Sequence, residues 1–258
     1  MSFDDNKRWA VLFLAFSLLW MGTAQAGATD ASRTGGADAI YFYASQSGKR
    51  ALDRGSEGGN PFASAFVESL SGHGVTLGEF STALLDLTAE KSRGFQRPDA
   101  SAATISDVLR LCSLRILPKP MGQKRVALVL VFSDYSGANL SSLPGARGDL
   151  RRVAAALQRA GFDVVTVLDP GHGEMEGALR EFGERSKASD MAVLYTAGHG
   201  IEVEGDIYLI PGNYPFLRKT TMLDKRTVPL ARLGAALQAR RANLVFYGAS
   251  RDNPFGAE

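Results

Sequence analysis

The chain has 258 residues, of which 45% are hydrophobic and 22% charged, and a formal net charge of +2 at pH 7. These values are ordinary for a globular protein, and the length allows one large domain or two small ones. The basic residues are scattered over predicted helical faces and form no stripe, so the sequence gives no support for a nucleic-acid partner. The single cysteine, Cys112, excludes an internal disulfide, and its apolar neighbours predict a buried structural thiol.

Residues 1–26 have the pattern of a cleavable signal peptide. Lys7 and Arg8 precede an apolar run over residues 10–21, and Ala24-Gln25-Ala26 is a small-x-small cleavage site. The apolar run is shorter than the roughly 20 residues of a membrane span, although an uncleaved anchor is the alternative. We therefore expect a secreted or periplasmic protein that is cleaved near Ala26 and has no membrane contact afterwards.

Residues 37–117 form the first predicted region. Asn60 is a good N-cap residue and Pro61 suits the first position of a helix, so a helix is predicted to begin there. The predicted elements are a strand over residues 38–44, a loop over 45–59, helices over 61–69 and 77–91, and an extended or irregular segment over 94–103. Residues 105–117 are ambiguous between strand and helix, and residues 118–124, rich in proline and lysine, are the predicted linker.

Residues 125–258 form the second predicted region, in which strands and helices alternate. Strands are predicted over residues 125–132, 162–168, 190–197 and 243–247, helices over 148–160, 174–187 and 228–240, and a hairpin over 201–204 and 207–211. This rhythm predicts an α/β fold with a mostly parallel sheet and helices on both faces.

Chemistry is predicted where two of these strands end, because open α/β sheets place their sites past the carboxyl ends of strands. All three histidines lie in Gly-His-Gly, but His73 and His172 fall in predicted turns and are typical of solvated loop residues. His199 instead follows a buried strand directly. Ser250 follows the next parallel strand, 51 positions later, so adjacent strands would bring the two residues to one edge as base and nucleophile.

The same residues carry a resemblance to a known family. Residues 124–255 resemble the larger, p20-like half of bacterial caspase and metacaspase-type peptidase domains. The matching motifs are Arg125-Val-Ala-Leu-Val-Leu, Gly161-Phe-Asp-Val, Tyr195-Thr-Ala-Gly-His-Gly, Tyr208-Leu-Ile-Pro and Ser250-Arg-Asp-Asn-Pro-Phe. The first region is similar to the smaller, p10-like half through Tyr41-Phe-Tyr-Ala-Ser-Gln-Ser-Gly-Lys-Arg-Ala-Leu, Asn60-Pro-Phe-Ala-Ser-Ala-Phe and Gly94-Phe-Gln-Arg-Pro.

The resemblance implies a caspase-like three-layer sandwich in which the p10-like half (37–117) precedes the p20-like half (125–258). We expect the two halves to form one permuted domain whose linker is residues 118–124. Permutation is tolerated at surface loops. A truncated or rearranged gene product whose halves do not assemble is the alternative.

The resemblance also implies a cysteine-type endopeptidase site, with two departures. The nucleophilic cysteine falls on Ser250, and an aspartate that receives a basic substrate side chain in metacaspase-type enzymes falls on Gly248. The implied roles are His199 as base, Gly200 and Gly248 in the oxyanion and cleft region, and Ser45 and Gln46 in the wall of the substrate cleft.

A serine at position 250 predicts a degenerate peptidase. An alcohol is much less acidic than a thiol and needs a base that a third group orients, and no sequence feature supplies that group. Asp149 and Asp190 are weaker candidates for the site, and Asp149 is expected in the first turn of its helix, where an acid favours the dipole. The alternatives are a working serine variant, a non-catalytic module that binds peptides or proteins in the same cleft, and a structural remnant. No metal and no cofactor are expected, and the oligomeric state is open.

Overall fold

A computed structural model describes residues 39–55, 59–71, 75–101, 114–138, 140–214 and 223–253 of the protein. The predicted signal peptide, His73, Cys112 and most of the ambiguous segment 105–117 lie outside these residues. No helix within the described residues is long and apolar enough to cross a membrane.

Six strands form the main sheet: β1 (Ala39–Tyr43), β2 (Asp99–Ser101), β3 (Arg125–Val131), β4 (Asp163–Leu168), β5 (Met191–Ala197) and β9 (Ala242–Tyr247). Their order is β2-β1-β9-β5-β3-β4, and every pair is parallel except β1 with β2. A smaller antiparallel sheet holds β6 (His199–Val203), β7 (Asp206–Ile210) and β8 (Val228–Pro229). The mostly parallel sheet that the sequence predicted is confirmed.

Helices cover both faces of the sheet. They are α1 (Pro61–Ser69), α2 (Leu77–Lys91), α3 (Pro144–Arg159), α4 (His172–Lys187), α5 (Leu223–Arg226) and α6 (Leu230–Ala235). The first three pack on one face, and α4, α6 and the smaller sheet pack on the other. Successive side chains of a strand point to opposite faces, so β3 is buried along its whole length and supplies both cores. The three-layer arrangement follows from these two cores.

The first two helices begin where local chemistry predicts. Asn60 accepts a hydrogen bond from the Phe62 N–H, and Pro61 occupies the first helical position. Thr76 and Glu79 form a reciprocal capping box at the start of α2. The predicted bounds of both helices, 61–69 and 77–91, are confirmed.

Two predicted helices were wrong in extent. Helix α3 begins at Pro144 rather than at residue 148, because proline suits a first turn that needs no N–H donor, and Asp149 therefore lies beyond that turn. The helix predicted over 228–240 is broken, since Val228 and Pro229 pair with β7 and α6 has six residues. Within the segment predicted as extended or irregular, Asp99–Ser101 is extended and forms an antiparallel strand beside β1.

Candidate active site

The predicted base and nucleophile positions lie at the same edge of the main sheet. β5 and β9 are parallel neighbours, with Tyr195 opposite Phe246 and Thr196 opposite Tyr247. His199 comes two residues after the end of β5, and Ser250 comes three residues after the end of β9. The chain segments that carry them touch: a Cβ atom placed on Gly200 would lie 2.7 Å from the Ser250 carbonyl oxygen.

The His199 ring is oriented by a backbone carbonyl. Its Nε2 atom lies 2.7 Å from the carbonyl oxygen of Ser141, in the loop that precedes α3. A carbonyl oxygen only accepts hydrogen bonds, so the hydrogen of the neutral ring is on Nε2, and Nδ1 keeps the lone pair of a base. The Ser141 carbonyl is thus the third group that sequence reasoning did not find. Every residue type carries a carbonyl, so no side-chain pattern could have signalled it.

Tyr135 holds the backbone and the ring of His199 in place. Its hydroxyl accepts a hydrogen bond from the His199 N–H at 2.8 Å and donates one to the Ile210 carbonyl at 2.8 Å. The two rings meet edge to face, with centroids 4.5 Å apart. Burial raises the pKa of the Tyr135 hydroxyl, which therefore stays protonated and keeps its donor. His199 is the first residue of β6.

Ser250 is held by a different partner. Its Oγ accepts a hydrogen bond from the Ala51 N–H at 2.9 Å, a contact between residues 199 positions apart. Within the part of the chain that the structure describes, no hydrogen bond joins the His199 ring to the Ser250 hydroxyl. A base that abstracts a proton must lie within hydrogen-bond reach of it, although such contacts are often longer without substrate.

The loop after β1 packs along the Ser250 segment. The Gly48 N–H donates to the Arg251 carbonyl at 3.0 Å, and the Arg251 N–H donates to the Lys49 carbonyl at 2.9 Å. Of the two predicted substrate contacts, Ser45 is fully buried with its hydroxyl bonded to the Lys49 carbonyl, whereas Gln46 is exposed. This loop therefore forms one side of the region around Ser250.

Arg251, the second residue of the motif that begins at Ser250, forms a buried ion pair at this edge. Its Nε lies 2.7 Å from Glu202 of β6, and the two side chains are only 10% and 12% exposed. Its guanidinium lies over the Tyr43 ring, 4.2 Å from the centroid, and Glu202 also accepts a hydrogen bond from Ser47. Burial raises the pKa of Tyr43 to about 12, against the opposing charge of Arg251. The buried ion pair thus links β1, β6 and the chain after β9.

The two glycines assigned to the cleft are both confined. A side chain on Gly200 would overlap the Tyr247 hydroxyl. At Gly248, a Cβ atom would lie 3.1 Å from both the Thr196 carbonyl and the Tyr195 hydroxyl. Position 248 therefore contributes backbone alone, and it brings no negative charge that could attract a basic substrate side chain.

Neither of the weaker acidic candidates contacts His199. Asp149 is fully buried, forms an ion pair with Arg152 and accepts the Asn60 N–H at 2.9 Å. Burial raises the pKa of Asp149, although both hydrogen bonds act in the opposite direction. Asp190 lies at the start of β5, at the far edge of the sheet, where it pairs with Arg240. The third group behind His199 is therefore a neutral carbonyl and not a carboxylate.

His172, the remaining described histidine, is the first residue of α4 and is exposed. No group of three or more His, Cys, Asp or Glu side chains among the described residues could hold a metal ion.

Comparison with known proteins assigns the second region. No curated protein matches the sequence of this chain. Among solved structures it is similar to Raptor from Chaetomium thermophilum, with 19% identity, a TM-score of 0.28, and a match that covers 48% of this chain and 11% of that one. A likeness at that TM-score carries no argument about function.

The family comparison is more informative, since residues 124–257 match the caspase domain of a peptidase family. This domain implies a proteolysis-related function and a peptide or protein as substrate. Because the match covers more than half of the sequence and includes both His199 and Ser250, the chain belongs to the caspase-domain family.

Proposed function

We propose that the protein is a degenerate caspase-like peptidase whose cleft binds polypeptide without efficient hydrolysis. The observation that carries this proposal is the hydrogen bonding of the Ser250 hydroxyl. Its Oγ accepts the Ala51 N–H, and it has no hydrogen bond to His199. An alcohol bonded in this way, opposite a base oriented by a neutral carbonyl, is a poor nucleophile.

The contacts around His199 support the proposal that the cleft is intact. Three contacts fix His199: the Ser141 carbonyl, the Tyr135 hydroxyl and the Tyr135 ring. A thiol at position 250 would need less help than a hydroxyl, because the imidazole readily ionises a group whose pKa is near 8.5. The loss of activity is therefore assigned to one atom, the oxygen that replaces sulfur.

We further propose that residues 37–117 and 125–258 form one caspase-like domain in permuted order. The parallel pairing of β1 with β9 over five residue pairs, from Ala39 with Asn243 to Tyr43 with Tyr247, supports this arrangement. The hydrogen bond between Ala51 and Ser250 supports it at the site itself. An extracytoplasmic location is also proposed, on the sequence of residues 1–26, and a mature N-terminus at Gly27 is its test.

The decisive experiment restores the thiol. Three proteins are assayed against peptides that carry Arg, Lys or Asp before the scissile bond. They are the parent, the single variant Ser250→Cys, and the double variant Ser250→Cys with His199→Ala. We expect no turnover by the parent, turnover by Ser250→Cys, and its loss without His199. Ser71→Cys is the matched control, because it adds a thiol on an exposed serine away from the cleft. The parent protein controls for any reactivity of the native Cys112.

Two results would contradict the proposal. Turnover by the parent that Ser250→Ala abolishes would make the protein a serine-type peptidase. Binding of a polypeptide is measured by fluorescence anisotropy with labelled unfolded casein. If neither Ser250→Cys nor Ser250→Ala binds it, although both are folded, the protein would be a structural remnant without a ligand.

A further inference from the structure

A cavity of about 530 Å³ lies at the edge of the sheet opposite to His199 and Ser250. It is lined by Lys119, Gln123 and Lys124 of the linker, by the first two residues of β3, by residues 161–163 and by the chain at the end of α4. β3 begins at the cavity and ends near the candidate active site, and its seven residues at a rise of about 3.3 Å separate the two by roughly 20 Å. The volume is that of a small-ligand site.

The cavity is strongly basic. Four of the residues that line it are cationic: Lys119, Lys124, Arg125 and Arg185. The acid among them is Asp163, and it forms an ion pair with Arg185. In the described part of the chain, Lys119, Lys124 and Arg125 have no ion pair.

Asp190 lies beside the cavity but does not neutralise it. Its carboxylate accepts the backbone N–H of Lys124 at 2.8 Å and forms its ion pair with Arg240. Lys119, Lys124 and Arg125 therefore have no carboxylate partner around the cavity, and the Ala160 carbonyl at the C-cap of α3 offsets only part of the Arg125 charge.

Arg125 makes the charge of this cavity unusual. The residue is 3% exposed, and its hydrogen bonds all go to neutral oxygens: the Gln123 side chain and the carbonyls of Arg115, Ile116 and Ala160. Its guanidinium also lies 5.4 Å from the centre of the Phe162 ring. Burial lowers the pKa of Arg125 to about 10, because its charge is removed from water and has no carboxylate partner. A fixed charge in a wall of low dielectric projects a positive potential into the adjoining space.

We propose that this cavity binds a small molecule with several phosphate charges. Lys119 and Lys124 are point charges on flexible stems, which suits phosphate oxygens, and Arg125 supplies the fixed field behind them. The cavity is larger than a single phosphate ion needs, and three cations without a carboxylate partner match a ligand with more than one anionic group. This site is independent of the proposed function, because no residue of the His199 edge lines it.

Calorimetric titration with inorganic tripolyphosphate tests the proposal, at about 50 mM salt so that screening is weak. Saturable binding is expected. Lys119→Glu with Lys124→Glu should weaken it at least about tenfold, since two attractive charges become repulsive. Arg97→Glu, which reverses an exposed charge outside the cavity, should leave the affinity within about twofold. Ala188→Trp, which fills the cavity without changing charge, should weaken binding as well.

Absence of binding at about 1 mM tripolyphosphate would overturn the proposal. Equal weakening by Arg97→Glu and by the lysine variant would also overturn it, because binding would then follow net charge alone. Circular dichroism establishes that each variant is folded, and Lys119→Gln and Lys124→Gln replace the double reversal if it is not.

Discussion

Removing one partner of the buried ion pair between Arg251 and Glu202 is expected to cost more stability than removing one partner of an exposed ion pair. The variant Glu202→Gln keeps the shape of the side chain but removes its charge. Arg251 then keeps a neutral amide oxygen at position 202, the Ser45 carbonyl at 3.5 Å and the largely exposed Asp99 at 4.0 Å. Breaking a buried pair from one side costs about 3–5 kcal/mol, because the close counter-charge of the buried guanidinium is lost.

Urea unfolding followed by circular dichroism measures this loss, with an unchanged m-value as evidence that both states are comparable. Glu184→Gln is the matched control, since Glu184 pairs with Lys187 and both side chains are at least half exposed. Its loss should stay below about 0.5 kcal/mol.

A double variant distinguishes two causes of the lost stability: the unpaired charge of Arg251 and a loss of side-chain packing. Adding Arg251→Met to Glu202→Gln removes the unpaired guanidinium, so the double variant should recover part of the stability. A loss below about 1 kcal/mol for Glu202→Gln would refute the reasoning, since that is the range of a solvated pair. A double variant no more stable than Glu202→Gln would refute it as well.

Three other outcomes are expected. Gly200→Ala should lower the free energy of unfolding by about 1–3 kcal/mol, because its methyl group would overlap the Tyr247 hydroxyl, and adding Tyr247→Phe should restore part of it in urea titrations. Thr76→Ala should cost about 1 kcal/mol near neutral pH, through loss of the capping box of α2. The Thr76 backbone N–H and hydroxyl both donate to the Glu79 carboxylate and lower its pKa below its usual 4.5, so their contribution is present above that pH and lost as pH falls through the folded-state pKa. Thr76→Ala removes only the hydroxyl bond, so the difference between parent and variant should shrink in part in acid, and a constant difference would contradict the assignment. Finally, residues 27–258 should unfold in one transition by tyrosine fluorescence and by circular dichroism, whereas two transitions would show that the halves do not form one unit.

The central strands β3 and β5 were predictable because they are buried on both faces of the sheet and therefore have uninterrupted apolar sequences. The capped helices α1 and α2 were predictable to the residue from Asn60 and Leu77 onwards. β2 was predicted only as extended or irregular chain, because a three-residue strand has no period to detect and its partner β1 is far away in sequence. Val228 and Pro229 were wrongly assigned to a helix, because their pairing with β7 overrides local helical propensity.

The positions of His199 and Ser250 at one sheet edge were also predictable, because parallel strands of alternating topology end together. What holds each residue was not. The Ser141 carbonyl and the Ala51 N–H are backbone groups without a side-chain signature. The partner of Arg251, Glu202, lies 49 residues away and has no motif around it.

The position of β9 between β5 and β1 has a consequence for the order of synthesis. β1 leaves the ribosome first and β9 last among the described strands, yet the two are hydrogen-bonded neighbours. Until β9 emerges, β1 and β5 each present an open sheet edge, which is a place for mispairing and for chaperones to act. Loop closure over nearly the whole chain must precede this pairing, which slows folding. A nascent chain therefore has neither Ser250 nor a closed sheet, and the cleft comes into existence only when translation of the β9 segment is complete.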